Sequence, residues 1–211
     1  MVLLGGSLVR GRQAPLRARY RQDPEQATIV KRAATQAVEG GDALHGLVAP
    51  DPRYGVSWPY GIDRAVGGLH DLPNPGELLC VALAACQDAT MRMLADLLGV
   101  ELLDLTVEVT GTLDVRGTLG LDPAVPVGFQ RMTCTTRVTV PAGTDLGLLA
   151  RLEAGARRSC VNLDTLRRGV PVAASTRFDS APQEGARMPP SHLTPPRSAH
   201  RSHTKGAASC H

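Results

Sequence analysis

Aromatic side chains are nearly missing from this sequence: one Trp, three Tyr and two Phe make up 3% of 211 residues. So few rings leave the core to Leu, Val and Ala, and they argue against a base-stacking nucleic-acid platform. Lysine is almost absent as well, since Lys31 and Lys205 are the only two among 23 basic residues. No Cys-x-x-Cys occurs and the histidines do not stand at metal-ligand spacing, so neither a metal nor a bound cofactor is expected. His192, His200, His203 and His211 all fall near the end of the chain. No apolar run approaches the roughly 18 residues of a membrane span; the best, Leu78 to Cys86, stops at Gln87-Asp88. Met1-Val-Leu-Leu is too short an apolar run for a secretory signal. The expectation is a cytoplasmic protein with free thiols and no membrane partner.

Hydrophobic residues at 43% and charged residues at 20% nevertheless support a real core. The net charge of +3 is uneven along the chain. Residues 1–26 hold five Arg against two acids, and residues 179–211 hold four basic residues against two acids. Residues 27–178 are net acidic, with 14 basic and 16 acidic side chains, which counts against a nucleic-acid partner. Three segments follow: a flexible basic arm over 1–26, a folded domain over 27–178, and a disordered Pro/Ser/His/Arg-rich tail over 179–211. Within the arm, Leu16 to Gln26 suggests a short arginine-rich helix ending near Asp23-Pro24.

The clearest element begins at Asn74, which can cap a helix, with Pro75 at its first position and Glu77 three residues after the cap. Gly99 supplies the stop. The first half of this helix is apolar all round and so must be enclosed on every side. Leu79, Leu83, Cys86, Met93 and Leu97 share one face, which points Cys86 into an apolar surface. Asp88, Arg92 and Asp96 form a solvated, mutually paired face. Before the helix, Thr28–Val38, Leu44–Ala49 and Val56–Ile62 read as strands in irregular hairpins. After it, Leu105–Val115 and Phe129–Val140 alternate with period two and read as an antiparallel pair. A second amphipathic helix starts at Leu146 and ends at Arg157-Arg158-Ser159-Cys160, and Val170-Pro-Val reads as a short edge strand. The class is α+β. A helix apolar on all sides is hard to enclose within about 150 residues, which favours a homodimer.

Five cysteines are present: Cys80, Cys86, Cys134, Cys160 and Cys210. Cys80 and Cys134 read as packing residues and Cys210 as an idle thiol. The segment Asn74-Pro-Gly-Glu-Leu-Leu-Cys-Val-Ala-Leu-Ala-Ala-Cys86, followed by Cys160-Val-Asn-Leu-Asp-Thr-Leu, resembles the OsmC/Ohr superfamily of osmotically inducible and organic hydroperoxide resistance proteins. Gly67-Gly68, the Arg116-Gly-Thr-Leu-Gly hairpin and Leu166-Arg-Arg-Gly-Val-Pro-Val extend the match over roughly residues 27–178.

That resemblance implies an OsmC-like fold, with antiparallel sheets wrapped around a long buried central helix in a domain-swapped homodimer. It implies a stress-response peroxidase in which Cys86 attacks an organic hydroperoxide and Cys160 resolves the sulfenic acid as a disulfide. An external dithiol then reopens that bond. Family members carry a Glu ten residues before the helix cysteine, orienting an Arg that holds the thiolate. Here position 76 is Gly, and Glu77, one residue later, is turned by about 100°. Glu77 is therefore either a capping acid or a displaced catalytic one. Glu39-Gly-Gly-Asp, the loop matching the family's Arg, lacks one, leaving Arg53 and Arg64 as candidates, and Val161 replaces the usual Pro after the second cysteine. The same residues also fit a second reading, a non-peroxidatic OsmC-like protein binding an apolar small molecule at the dimer interface.

Overall fold

The computed structural model describes residues 6–37 and 40–179. The four C-terminal histidines, Cys210 and the body of the expected tail therefore lie outside the described residues, as does Glu39. Residues Met1–Pro171 form one unit and Val172–His211 another. Of the second, residues 172–179 are described; they are exposed and carry no helix or strand.

The first unit opens with helix α1, Leu8–Gln22, capped by Ser7, whose side chain accepts from the Arg10 N–H. The helix expected over Leu16 to Gln26 thus starts eight residues earlier and ends at Gln22. Pro15 sits inside it, and the added N-terminal turns are anchored from outside. The Ser7 hydroxyl and the Val9 N–H both donate to the Asp96 carboxylate, the latter at 2.9 Å. Asp96 thus belongs to a helix anchor and not to the paired face expected for it, while Arg92 and Asp88 do pair, at 2.8 Å.

Strands β1 (Ala33–Gln36), β2 (His45–Pro50) and β3 (Trp58–Gly61) form an antiparallel sheet in that order. All three lie within the stretches read as strands, except that β2 runs one residue further, to Pro50. The His45 ring ties this sheet to the approach of the next helix, contacting Asp42 at 2.9 Å and Asp71 at 3.1 Å.

Helix α2 spans Pro75–Leu98. Its start is a complete capping box between Asn74 and Glu77, and its end is Gly99 at φ +72°, a conformation that a side chain disfavours. By length and composition α2 is apolar enough to cross a membrane, with a mean hydropathy of 1.4 over its best window. It packs instead against β4 (Asp104–Thr112) and α4 (Leu146–Ser159). Its buried stripe is Leu83, Gln87, Thr90, Met91 and Ala95. That corrects the expected face: Leu79 and Met93 are exposed, because two polar residues, invisible to apolar periodicity, take the inward positions. Within the single chain the first half is not enclosed on every side: Val81 is 60% exposed.

β4 pairs antiparallel with β5 (Arg131–Thr139), with Leu105 opposite Val138 and Val109 opposite Cys134. Their alternation is as the period-two pattern predicts: Leu105 and Val107, with Val138, face the core formed by Met91, Ala95, Leu152 and Ala156. Between the strands, Val115–Thr118 is a short helix, α3, where the sequence suggested continued strand and hairpin. Asp114 caps α3 and grips Arg116. After α4 comes a helix that the pattern did not reveal, α5, Val161–Arg168. Val170-Pro171-Val172 forms no strand: Pro171 has no N–H to donate, and Val170 and Val172 are both exposed.

Candidate functional site

The site is built where α2 meets the junction of α4 and α5. Cys86 lies in the middle of α2, and Cys160 is the residue at which α4 ends and α5 begins. The Cys160 N–H closes α4 on the Ala156 carbonyl at 3.1 Å, and its own carbonyl accepts from Asp164 at 3.0 Å. A cysteine at such a corner is held by the backbone on both sides. Its side chain is 0% exposed.

Asn162, two residues into α5, ties the corner to α2. Its side-chain amide donates to the Ala82 carbonyl at 2.8 Å, and its backbone N–H approaches Cys86 Sγ at 3.5 Å. Both thiols are free, and Cys86 stands close enough to Cys160 to perturb it. Burial pushes the Cys160 thiol up; the Leu163 N–H pulls it down, and the neighbouring Cys86 thiol adds to the rise. Cys86 is only half-buried, so the two thiols differ in their access to solvent. Sequence reasoning named both cysteines and missed Asn162, because a contact across 76 positions leaves no local signal.

The other candidates are placed elsewhere. Glu77 accepts from the Asn74 N–H at 2.9 Å, while its own N–H donates to Asn74 Oδ1 at 3.0 Å, so it caps the helix. Arg53 is committed to Asp51 through two side-chain bonds of 2.8 Å. Arg64 stands in the turn Arg64–Val66. Among the described residues the donor to Cys86 Sγ is the Asn162 N–H, not an arginine. Position 76 faces the Phe129 ring: a Cβ there would sit 3.2 Å from it, and one at Gly111 would sit 2.5 Å away. Phe129 therefore packs where a longer side chain at 76 would project.

Cys134 points inward from β5 and Cys80 lies half-buried on α2. Burial raises both thiols, with the Glu77 carboxylate adding to the rise at Cys80, which suits inert packing residues. No group of three His, Cys, Asp or Glu side chains converges among the described residues in a way that could hold a metal.

Comparison with known proteins bears on this arrangement. A family model described as OsmC-like protein matches residues 68–175, which contain both cysteines. No curated protein matches the sequence. Among solved structures, an OsmC-like protein from Mycoplasma pneumoniae aligns with a TM-score of 0.51 at 16% identity, covering 66% of this chain and 88% of that one. An OsmC-like protein of unknown function from Vibrio cholerae aligns with a TM-score of 0.53 at 12% identity, over 65% of this chain and 94% of that one. At these identities the likeness is one of fold.

Proposed function

This chain belongs to the OsmC-like protein family, and on that premise we propose that it reduces organic hydroperoxides with a pair of thiols. Cys86 attacks and Cys160 resolves. The observation that carries this reading is the pairing of a half-exposed thiol with a fully buried one at a helix junction.

The Cys86 thiolate attacks one peroxide oxygen, the O–O bond breaks, and the alcohol leaves with a proton. Cys86 is then a sulfenic acid. The Cys160 sulfur attacks that sulfur, water leaves, and a disulfide forms; an external dithiol returns both thiols by exchange. The Asn162 N–H at 3.5 Å is a donor placed to stabilise negative charge on Cys86 Sγ. Burial of Cys160 keeps it protonated and away from bulk peroxide until Cys86 has reacted. Free thiols suit a reducing, cytoplasmic setting. The working form is a domain-swapped homodimer, because the exposed apolar side of α2, including Leu79 and Val81, needs a second copy to cover it.

A second reading has its own support. Phe129 against Gly76 and the absence of an arginine donor at Cys86 among the described residues suit a non-peroxidatic protein that binds an apolar small molecule at the dimer interface.

Consumption of cumene hydroperoxide with excess dithiol separates the two. Cys86→Ser is expected to fall to the uncatalysed rate. Cys160→Ser is expected to stop after one turnover, with a sulfenic acid that dimedone traps. Activity surviving in Cys86→Ser, or no Cys86–Cys160 disulfide after peroxide treatment, overturns the peroxidase and leaves the binding protein.

A further inference from the structure

Asn162 touches helix α2 twice, and both contacts fall on the one turn that ends at Cys86. Its side-chain amide donates to the Ala82 carbonyl at 2.8 Å, and its backbone N–H reaches Cys86 Sγ at 3.5 Å. In an α-helix the carbonyl of residue 82 is the one that accepts from the N–H of residue 86. A carbonyl oxygen has two lone pairs, so the Asn162 amide shares this acceptor without displacing the helical bond. Only a donor fits opposite a carbonyl, which fixes the amide nitrogen as the group that faces α2.

Among the described residues, no other hydrogen bond joins α5 to α2. The remaining side-chain bond of α5, from Arg168 to Asp164 at 2.6 Å, stays within the helix. Cys160 is the cap residue of α5 and is joined to it through the Asp164 N–H. On its α4 side this corner is held by the buried Leu152 and Ala156; on its α5 side the polar tie is Asn162. A disulfide requires Cα atoms about 4.4–6.8 Å apart and a narrow range of torsions, so a corner that drifts closes poorly.

We propose that Asn162 is a positioning residue for the thiol pair. Its amide pins the start of α5 to the Ala82–Cys86 turn and so favours closure of Cys86 and Cys160 to a disulfide. The inference rests on the two-thiol reading above, whichever oxidant the pair meets. The pin orders the corner in the reduced protein, so that closing the bond costs less freedom. The coupling is reciprocal: what the amide adds to the disulfide, the disulfide adds to the amide bond.

Equilibration of the full chain in glutathione buffers reads this without any peroxide. The Cys86 thiolate attacks glutathione disulfide and expels one glutathione; the Cys160 thiolate attacks the Cys86 sulfur of that mixed disulfide and expels the second. Two electrons pass from the protein to glutathione, and the two released thiolates take up the two protons. Differential alkylation and peptide mapping give the fraction of Cys86–Cys160 disulfide at each ratio. Asn162→Ala is expected to lower the equilibrium constant about fivefold, raising the reduction potential by about 20 mV. Asn162→Asp keeps the size, loses the donor and turns a carboxylate on the carbonyl; it should lower the constant about tenfold, or about 30 mV. Arg168→Ala cuts only the bond inside α5 and should stay within about twofold of wild type. Asn162 variants that fold, by circular dichroism, and keep the constant within about twofold of wild type overturn the proposal. So does an equal shift in Arg168→Ala, which would be a general loosening of α5. No wild-type Cys86–Cys160 disulfide at any ratio overturns the two-thiol reading and this inference with it. A protein that fails to consume cumene hydroperoxide but shows the Asn162 shifts loses the peroxidase reading alone, whereas a working peroxidase with unmoved potentials loses this inference alone.

Discussion

Gln87 is an expensive residue to bury. It adjoins Cys86 in the chain, yet faces the other way, into the core side of α2, with its Oε1 unpaired. Replacing it by an apolar side chain of similar size removes an unsatisfied atom and keeps the packing. Gln87→Leu is expected to stabilise the protein by about 1 kcal/mol, raising Tm by about 2–4 °C in a scanning calorimeter. A lower Tm would show that the amide has a partner after all. Phe129 presents the opposite case, a large ring accommodated by missing side chains. Gly76 and Gly111 both lie against it, and a Cβ at Gly111 would press on the ring at 2.5 Å. A side chain at position 76 would also press on this ring, from 3.2 Å, while Glu77 is engaged in the capping box with Asn74.

Helix α2 contributes most of what positions the site, and its two ends are secured differently. The start is closed locally by the capping box; the last turns receive a visitor, as Asp96 takes the Ser7 hydroxyl and the Val9 N–H from α1. Arg10 adds a bond to the Leu97 carbonyl at 2.8 Å, a cation at a helix C-terminus. The Ser7 hydroxyl, and after it the Val9 N–H, hold the Asp96 carboxyl below its usual 3.8. For a depressed acid, the stabilisation is present above the unfolded pKa and lost as pH falls through the lower folded value. Relative to the intrinsic exchange rate at each pH, the amides of Leu8–Gln22 should therefore keep their protection at neutral pH and lose it only in acid below 3.8. Asp96→Ala should lower that protection at neutral pH and converge with wild type in strong acid, where the wild-type carboxyl is protonated. Unchanged exchange in that variant would mean that α1 stands without this anchor.

The molecule as one chain leaves its longest apolar helix incompletely covered. Only 28% of the most apolar window of α2 is buried, and Val81 is 60% exposed. The homodimer proposed above would resolve this by hydrophobic burial of the shared face. Light scattering on a sizing column is expected to give twice the chain mass for wild type and the single mass for Val81→Arg. A charge in the middle of a dry interface lacks a partner and opposes association. A monomeric wild type would require another cover for α2.

Much of the framework could be read directly from residue order. The ends of α2 at Asn74 and Gly99, the facing strands with Leu105 and Val138 inward, and the end of α4 at Cys160 all follow from signals within a few positions. Capping and alternation are short-range physics, and such elements state themselves locally. The two cysteines were legible through a family pattern, not through any local rule. Chain folding alone placed Asn162 against Cys86, Ser7 against Asp96 and Phe129 over Gly76 and Gly111. It also turned Gln87 inward where periodicity favoured Met93, and it built α5 where an edge strand was expected slightly further on. Those contacts join residues up to 89 positions apart. Their energy depends on which surfaces meet, and no window of neighbouring residues records that.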